Sequence, residues 1–333
     1  MLFRSVLTAL AQQHPELKIS MISRPLFKPF FDGIPNVDFV AFDSKARHNG
    51  FVGLIKFYFE IRKLKIDAFA DLHNVLRSKV MSTLFRLTGR PTATVDKARA
   101  EKKALTRSGN KIFKPLTPIP QRYAKVFADL GFKIDLSTVD LTPKKPLSDD
   151  VLSLSGQKMN DKWIGIAPFA QHQPKVYPHD LMQQVIDLLA QNQHYKIFLF
   201  GGGETESRLL HEFAKNFQNV IVVAGRLSFA SELNLISNLD VMLSMDSGNA
   251  HMAAMFSINV VTLWGATHPF AGFAPFNQPI ENALLSDRER FPALPTSIYG
   301  NKQVEGYEDA MRTIEPYVVV AKIEENLKRD QVQ

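Results

Sequence analysis

Asp246, Ser247 and Gly248 stand between an apolar run, Val241 to Met245, and a segment in which Ala250, Ala253, Ala254 and Phe256 recur at helical spacing. A carboxylate, a hydroxyl and a glycine at such a junction suit an anion. Asp246 and Ser247 can cap the helix, Gly248 lets a ligand approach the backbone, and free N–H groups with the positive end of the helix dipole point outward. A phosphate is the ligand best matched to that chemistry. His251 follows three residues after Gly248. Its imidazole could reach a phosphate or a leaving group, or it could be a structural histidine.

Three other stretches carry groups of the same kind. Lys175 lies in the loop 168–178 (PFAQHQPKVYP), where a lysine can neutralise a phosphate or simply be a solvated charge. Gly201-Gly202-Gly203 precedes Glu204 and Glu206, so a tight turn is followed by carboxylates able to accept from ribose or sugar hydroxyls. Thr267 and His268 follow Gly265-Ala266 and could line the same cleft. The glycine turn is not a Walker A loop, because no Gly-Lys-Ser/Thr follows it, and the Gly-x-Gly-x-x-Gly spacing is absent. His172, His179 and His194 have no ligand spacing, so no dedicated metal site is expected.

These groups need strands to hold them. In the second half, 163–167, 196–200, 220–223, 241–244 and 260–264 read as short buried strands separated by helix-length segments, the pattern of a doubly wound parallel sheet. In the first half, strands are expected at 18–22, 37–42 and 66–72, with helices at 51–64, 75–87 and 123–130. The helix 51–64 mixes many apolar side chains with Lys56, Arg62 and Lys63, and Lys65 follows it. It could rest on an anionic membrane; the bland reading is a core helix with its basic side chains in water. The first element is a helix, although an α/β domain normally opens with a strand and its ligand loop, so a strand before residue 1 is expected.

Residues 97–122 are basic and hold three prolines, too polar for a strand or core helix, and read as a functional or solvated loop. The segment 141–150 (LTPKKPLSDD) reads as an interdomain linker. The expected organisation is a domain at 1–145, a second at 151–310 and a helix within 311–333. Length agrees, since 333 residues exceed the usual single core.

Composition narrows the classes. Hydrophobic residues make up 45% and charged residues 22%, as in soluble globular proteins, and there are no cysteines for disulfides or thiolate metal sites. The net charge of +7 suits an acidic partner: a nucleotide diphosphate, an anionic lipid or nucleic acid. No nucleic-acid recognition motif accompanies it, and no apolar run is long enough to span a bilayer.

Asp246-Ser247-Gly248-Asn249-Ala250-His251-Met252-Ala253-Ala254, with Trp264-Gly265-Ala266-Thr267-His268-Pro269, closely resembles the pattern of glycosyltransferase family 9, the family of ADP-heptose:lipopolysaccharide heptosyltransferases. The likeness runs from Trp163 to Pro269 and includes Lys175 and the Gly201-Gly202 turn; before residue 150 it is weaker, carried by His14-Pro15-Glu16-Leu17-Lys18-Ile19. It implies a GT-B fold, two Rossmann-like doubly wound parallel-sheet domains facing a cleft, with acceptor on the first and nucleotide-sugar donor on the second. The implied reaction is inverting transfer of a sugar, typically heptose, from an ADP-activated donor to a lipopolysaccharide core acceptor. No cofactor and no bound metal are implied, and the setting would be the cytoplasm, at the inner face of the cytoplasmic membrane where acceptor requires it.

By the same resemblance, Lys175 and the amides of Ser247 and Gly248 would hold the diphosphate, Glu206 or Glu204 the donor hydroxyls, and Asp246 and His251 would complete the pocket. The family's general-base aspartate lies in the loop after its first strand, which would fall upstream of Met1. No catalytic base is therefore assigned, and a nucleotide-sugar-binding protein with little transferase activity is the alternative.

Overall fold

The computed structural model describes residues 2–141 and 144–329. The chain divides into two units: Met1–Ala98 with Thr117–Leu141, and Arg99–Leu116 with Thr142–Gln333. The segment 99–116 thus belongs with the second unit, although it falls within the 1–145 expected for the first.

The first unit contains α1 (Leu2–Gln13), β1 (Ile19–Ser23), β2 (Val37–Ala41), α2 (Gly50–Arg62), β3 (Phe69–Asp71), α3 (Leu76–Leu87) and β4 (Thr92–Thr94). Its strands form two parallel pairs, β1 with β2 and β3 with β4. One core joins Leu54, Phe57, Tyr58 and Ile61 of α2 to Met81 and Phe85 of α3. That accounts for only half of α2. Phe51, Val52 and Phe59 remain 66%, 81% and 55% exposed, so a core helix with only its basic side chains in water does not describe these three.

Residues 97–122, expected to be a loop, instead contain α4 (Arg99–Thr106). Composition misleads here because one helical turn needs few inward positions. Leu105 is fully buried against Leu116 and Ala271, and the Lys102 ammonium lies 4.3 Å from the centre of the Phe273 ring. Lys111 donates to the carbonyls of Ala293 and Pro295. These cations act as internal anchors. The helix expected at 123–130 begins earlier, as α5 (Ile119–Asp129), with Pro120 in its first turn, where no N–H is needed.

The expected linker 141–150 includes two positions, 142 and 143, outside the described residues. The part after them is tied to the second unit: Asn234 bonds Ser148 N and Pro146 O, and Asn238 donates to Lys145 O.

The second unit continues with α6 (Asp149–Ser155), β5 (Lys162–Ala167), α7 (His179–Ala190), β6 (Tyr195–Leu199), α8 (Gly203–Ala214), β7 (Val220–Val222), α9 (Phe229–Ile236), β8 (Val241–Met245), α10 (Gly248–Ala254), β9 (Asn259–Trp264), β10 (Ala283–Leu285) and α11 (Pro316–Arg329). All six strands are parallel, in the order β10-β9-β8-β5-β6-β7. The chain runs outward from β5 to β7, then crosses back to β8. The carboxyl ends of β5 and β8 therefore flank the topological switch point, where loops diverge and open sheets bind ligands. Gly165 leaves room for the Leu239 side chain against β5, since a Cβ there would lie 2.5 Å from Leu239 Cδ1.

Val319, Ile323 and Leu327 of α11 bury against the sheet in the same core as Met182, Val185 and Ile186 of α7. The C-terminal helix expected within 311–333 thus packs on the second unit, and residues 330–333 lie outside the described residues. Among the described residues, no helix is long and apolar enough to cross a membrane.

Candidate donor site at the carboxyl edge of the six-stranded sheet

Three of the expected residues form one bonded cluster. The Lys175 ammonium lies 2.9 Å from Asp246 Oδ2, and Thr267 Oγ1 donates to the same oxygen at 2.9 Å. Lys175 leaves the β5 loop in a single 3-10 turn (Gln173–Lys175), Asp246 ends β8, and Thr267 follows β9. Asp246 and Thr267 are buried, and the Lys175 side chain is only 13% exposed. An ion pair so withdrawn from water holds its geometry.

Two glycines fix this lysine, and sequence reading did not single out either for that role. At Gly265 a Cβ would lie 2.5 Å from the Pro174 carbonyl oxygen, and Ala266 N donates to that oxygen at 3.0 Å. At Gly300, which has φ +75°, a Cβ would lie 2.2 Å from Lys175 Cδ. The loop after β5 is therefore pressed onto the end of β9, and the lysine stem lies across bare backbone. Only tertiary structure brings these segments together, so no local spacing announces them.

Beside the cluster is a cavity of about 320 Å³, lined from the loops after β5, β6 and β8 and from α9. Glu206, Ser247 and Gly248 line it together with Gly202, Phe169 and Glu232. Glu206 accepts from Gly202 N–H at 2.7 Å, which rigidifies the glycine turn. Gly201 permits the Phe169 ring, since a Cβ there would meet it at 3.1 Å. Ser247 occupies the cap position of α10, but its hydroxyl shares a hydrogen bond with Ser244 Oγ at 3.0 Å and makes no cap bond. The expected side-chain capping by Ser247 is thus replaced by a strand-to-turn contact, which leaves the amides at that turn uncapped by it.

Glu232 is the residue that sequence reading missed. It lies in the first turn of α9, after the Ser228 cap, half-buried, and its carboxylate has no hydrogen bond or ion pair among the described residues. Burial pushes its pKa up to about 7. Acidic residues are common in first helical turns, so position alone could not distinguish it.

The remaining expected residues diverge. His251 is half-buried in α10, its Nδ1 enclosed and without a hydrogen-bond partner among the described residues; burial, reinforced by the Lys175 charge, pushes its pKa down to about 3, so it is neutral. Glu204 is exposed and does not line the cavity. His268 turns away: its Nδ1 accepts from Phe270 N, and its ring packs between Phe113 and Phe270, with centroids 5.0 and 4.4 Å away. Burial and the nearby Arg288 charge push it down to about 4. An aromatic cage and a local turn thus claim His268, contrary to its expected place in the cleft. Among the described residues, no cluster of three or more His, Cys, Asp or Glu could hold a metal ion.

The family model of glycosyltransferase family 9 (heptosyltransferase) matches residues 55–297. The chain belongs to that family. The matched span contains every candidate site residue and both of the sheet's switch-point strands. Lipooligosaccharide heptosyltransferase 2 of Haemophilus influenzae is 27% identical over 50% of this chain, a match spanning only about half, 47%, of that relative. Lipopolysaccharide core heptosyltransferase OpsX of the same organism is 20% identical, over 82% of this chain and 77% of its own length. A family 9 glycosyltransferase from Veillonella parvula superposes with a TM-score of 0.75 at 18% identity, covering 98% of this chain and 93% of its own. Escherichia coli heptosyltransferase WaaC with ADP gives 0.65 at 17%, covering 100% and 95%. At those identities the structures establish the fold, which is the GT-B type of the family 9 heptosyltransferases.

Proposed function

We propose that this chain is an inverting glycosyltransferase that moves heptose from an ADP-activated donor to the core of lipopolysaccharide. The observation that carries the reading is the joining of Lys175, Asp246 and Thr267 beside a polar cavity at the switch point of a sheet inside the family-matched span. The names of the relatives support the donor and acceptor classes: a lipooligosaccharide heptosyltransferase, a lipopolysaccharide core heptosyltransferase and a heptosyltransferase described with ADP.

In this reading residues 151–310 hold the donor and 1–145 serve the acceptor. Lys175 and the amides at Ser247 and Gly248 bind the diphosphate. Asp246 and Thr267 orient the lysine, and His251, outside the cavity's lining, stays neutral beside it. Glu206 and Glu232 accept from donor hydroxyls, and exposed Glu204 has no part. As the bond from sugar to diphosphate breaks, negative charge grows on the leaving oxygen, and a fixed ammonium with fixed amides stabilises the transition state more than the ground state. A glycolipid acceptor places the enzyme at the inner face of the cytoplasmic membrane.

The test is incubation with ADP-heptose and a heptose-deficient lipopolysaccharide core, following ADP release and the acceptor's mass together. Transfer adds one heptose to the acceptor for each ADP released. Tight donor binding with an unchanged acceptor mass would contradict transfer and favour a nucleotide-sugar-binding protein.

A further inference from the structure

The outer face of α2 has a composition that the core does not require. Leu54, Phe57, Tyr58 and Ile61 recur at three- and four-residue steps and face inward. On the opposite side Val52 and Phe59 lie two turns apart, with Ile55 between them and Phe51 at the head of the helix; of these only Ile55 is partly sheltered. Exposed Lys56, Arg62 and Lys63 border that stripe, and Leu64 and Lys65, also exposed, extend it past the helix end. The helix is therefore apolar on two faces, one closed by protein and one open.

Charge identifies what the open face fits. Lys56, Lys63 and Lys65 form no ion pair among the described residues, and the Arg62 guanidinium sits over the Tyr58 ring at 5.7 Å. Glu60 is the single acid of α2, and the Arg47 guanidinium at 2.8 Å already neutralises it, with His48 Nε2 3.2 Å away. Isolated exposed apolar residues are ordinary, but three large ones sharing a face between unpaired cations form the pattern of a helix lying in a lipid interface. Lysine stems can reach anionic headgroups while the rings enter the acyl boundary. We propose that this face of α2 docks on an anionic phospholipid bilayer. The proposal stands apart from the donor-site reading, because it uses none of those residues.

The experiment is co-sedimentation of the full chain with vesicles of phosphatidylglycerol in phosphatidylethanolamine, beside vesicles of phosphatidylcholine alone. The expected result is binding to the anionic vesicles only, released by salt. Lys56→Gln with Lys63→Gln should weaken partition by about 25-fold, from about fivefold per cation. Val52→Ser with Phe59→Ser should abolish binding, and both positions are exposed enough for the variants to fold. ADP titration of the same variants should match the unsubstituted chain, which separates a failed docking face from a failed donor site. Equal binding to phosphatidylcholine, retention of binding in either double variant, or a lipid-free dimer that Val52→Ser with Phe59→Ser dissolves would overturn the proposal.

Discussion

Two carboxylates on the same sheet edge are treated in opposite ways. Asp246 is buried and paired, taking an ammonium and a hydroxyl on Oδ2, whereas Glu232 is half-buried and has no partner among the described residues. A paired group positions its neighbours; an unpaired group in a cavity wall is ready for something that arrives. The comparison separates the site into a fixed part, which holds Lys175, and a receptive part, which under the proposed function would meet the donor's hydroxyls.

Asp246→Ala attacks the fixed part and should have the largest effect. It strands the Lys175 ammonium in a nearly buried place, and loss of one partner of such a pair costs about 3–5 kcal/mol, readable as a lower urea midpoint. Lys175→Met should act mainly on rate. Removing a preorganised cation from the leaving group lowers turnover by about a hundred- to a thousandfold, measured as ADP release at saturating donor. Gly265→Ala is a subtler test of the same part. Its new Cβ would meet the Pro174 carbonyl, so the loop must shift, with about 1–3 kcal/mol of destabilisation and a raised KM for donor.

The receptive part should respond to pH. With its carboxyl near 7 in the free protein, Glu232 ionises as pH rises from about 6 to 8. A carboxylate that accepts from hydroxyls favours the ionised form, so donor binding releases a proton and affinity rises with pH, levelling off above the free-state value. Glu232→Gln should remove that slope in calorimetric titrations; a slope of the opposite sign would mean that Glu232 binds as a hydrogen-bond donor. The same raised pKa makes Glu232 a stabilising feature at low pH that is lost as pH climbs through about 7, and Glu232→Gln should flatten that trend in thermal melts. Glu204→Gln, at an exposed position outside the cavity, should change stability by no more than about 0.5 kcal/mol and leave donor affinity unchanged.

The division between the two parts also marks what the sequence disclosed. The strands β5, β6, β8 and β9 were legible because strands buried on both faces must be continuous apolar runs, and Asp246 and Lys175 were legible because they follow such runs. β10 was not, since its three residues at the sheet edge make no run of their own. α4 was hidden by its charge, because Leu105 and Lys102 supply the buried positions and the rest is free to be basic. Gly265 and Gly300 were opaque, since the atoms they accommodate lie far away in sequence. Glu232 could not be told from any first-turn acid, and the two readings of α2 stayed open because counting apolar residues does not say which side of a helix is covered.

The most direct test of the central claim is calorimetric titration of ADP into the unsubstituted chain and into Lys175→Met and Glu232→Gln. A donor site built as described predicts that ADP binds the unsubstituted chain, that Lys175→Met weakens binding by tenfold or more, and that Glu232→Gln changes mainly its pH slope. ADP affinity unaltered by Lys175→Met would contradict the account, because the nucleotide's diphosphate would then sit elsewhere.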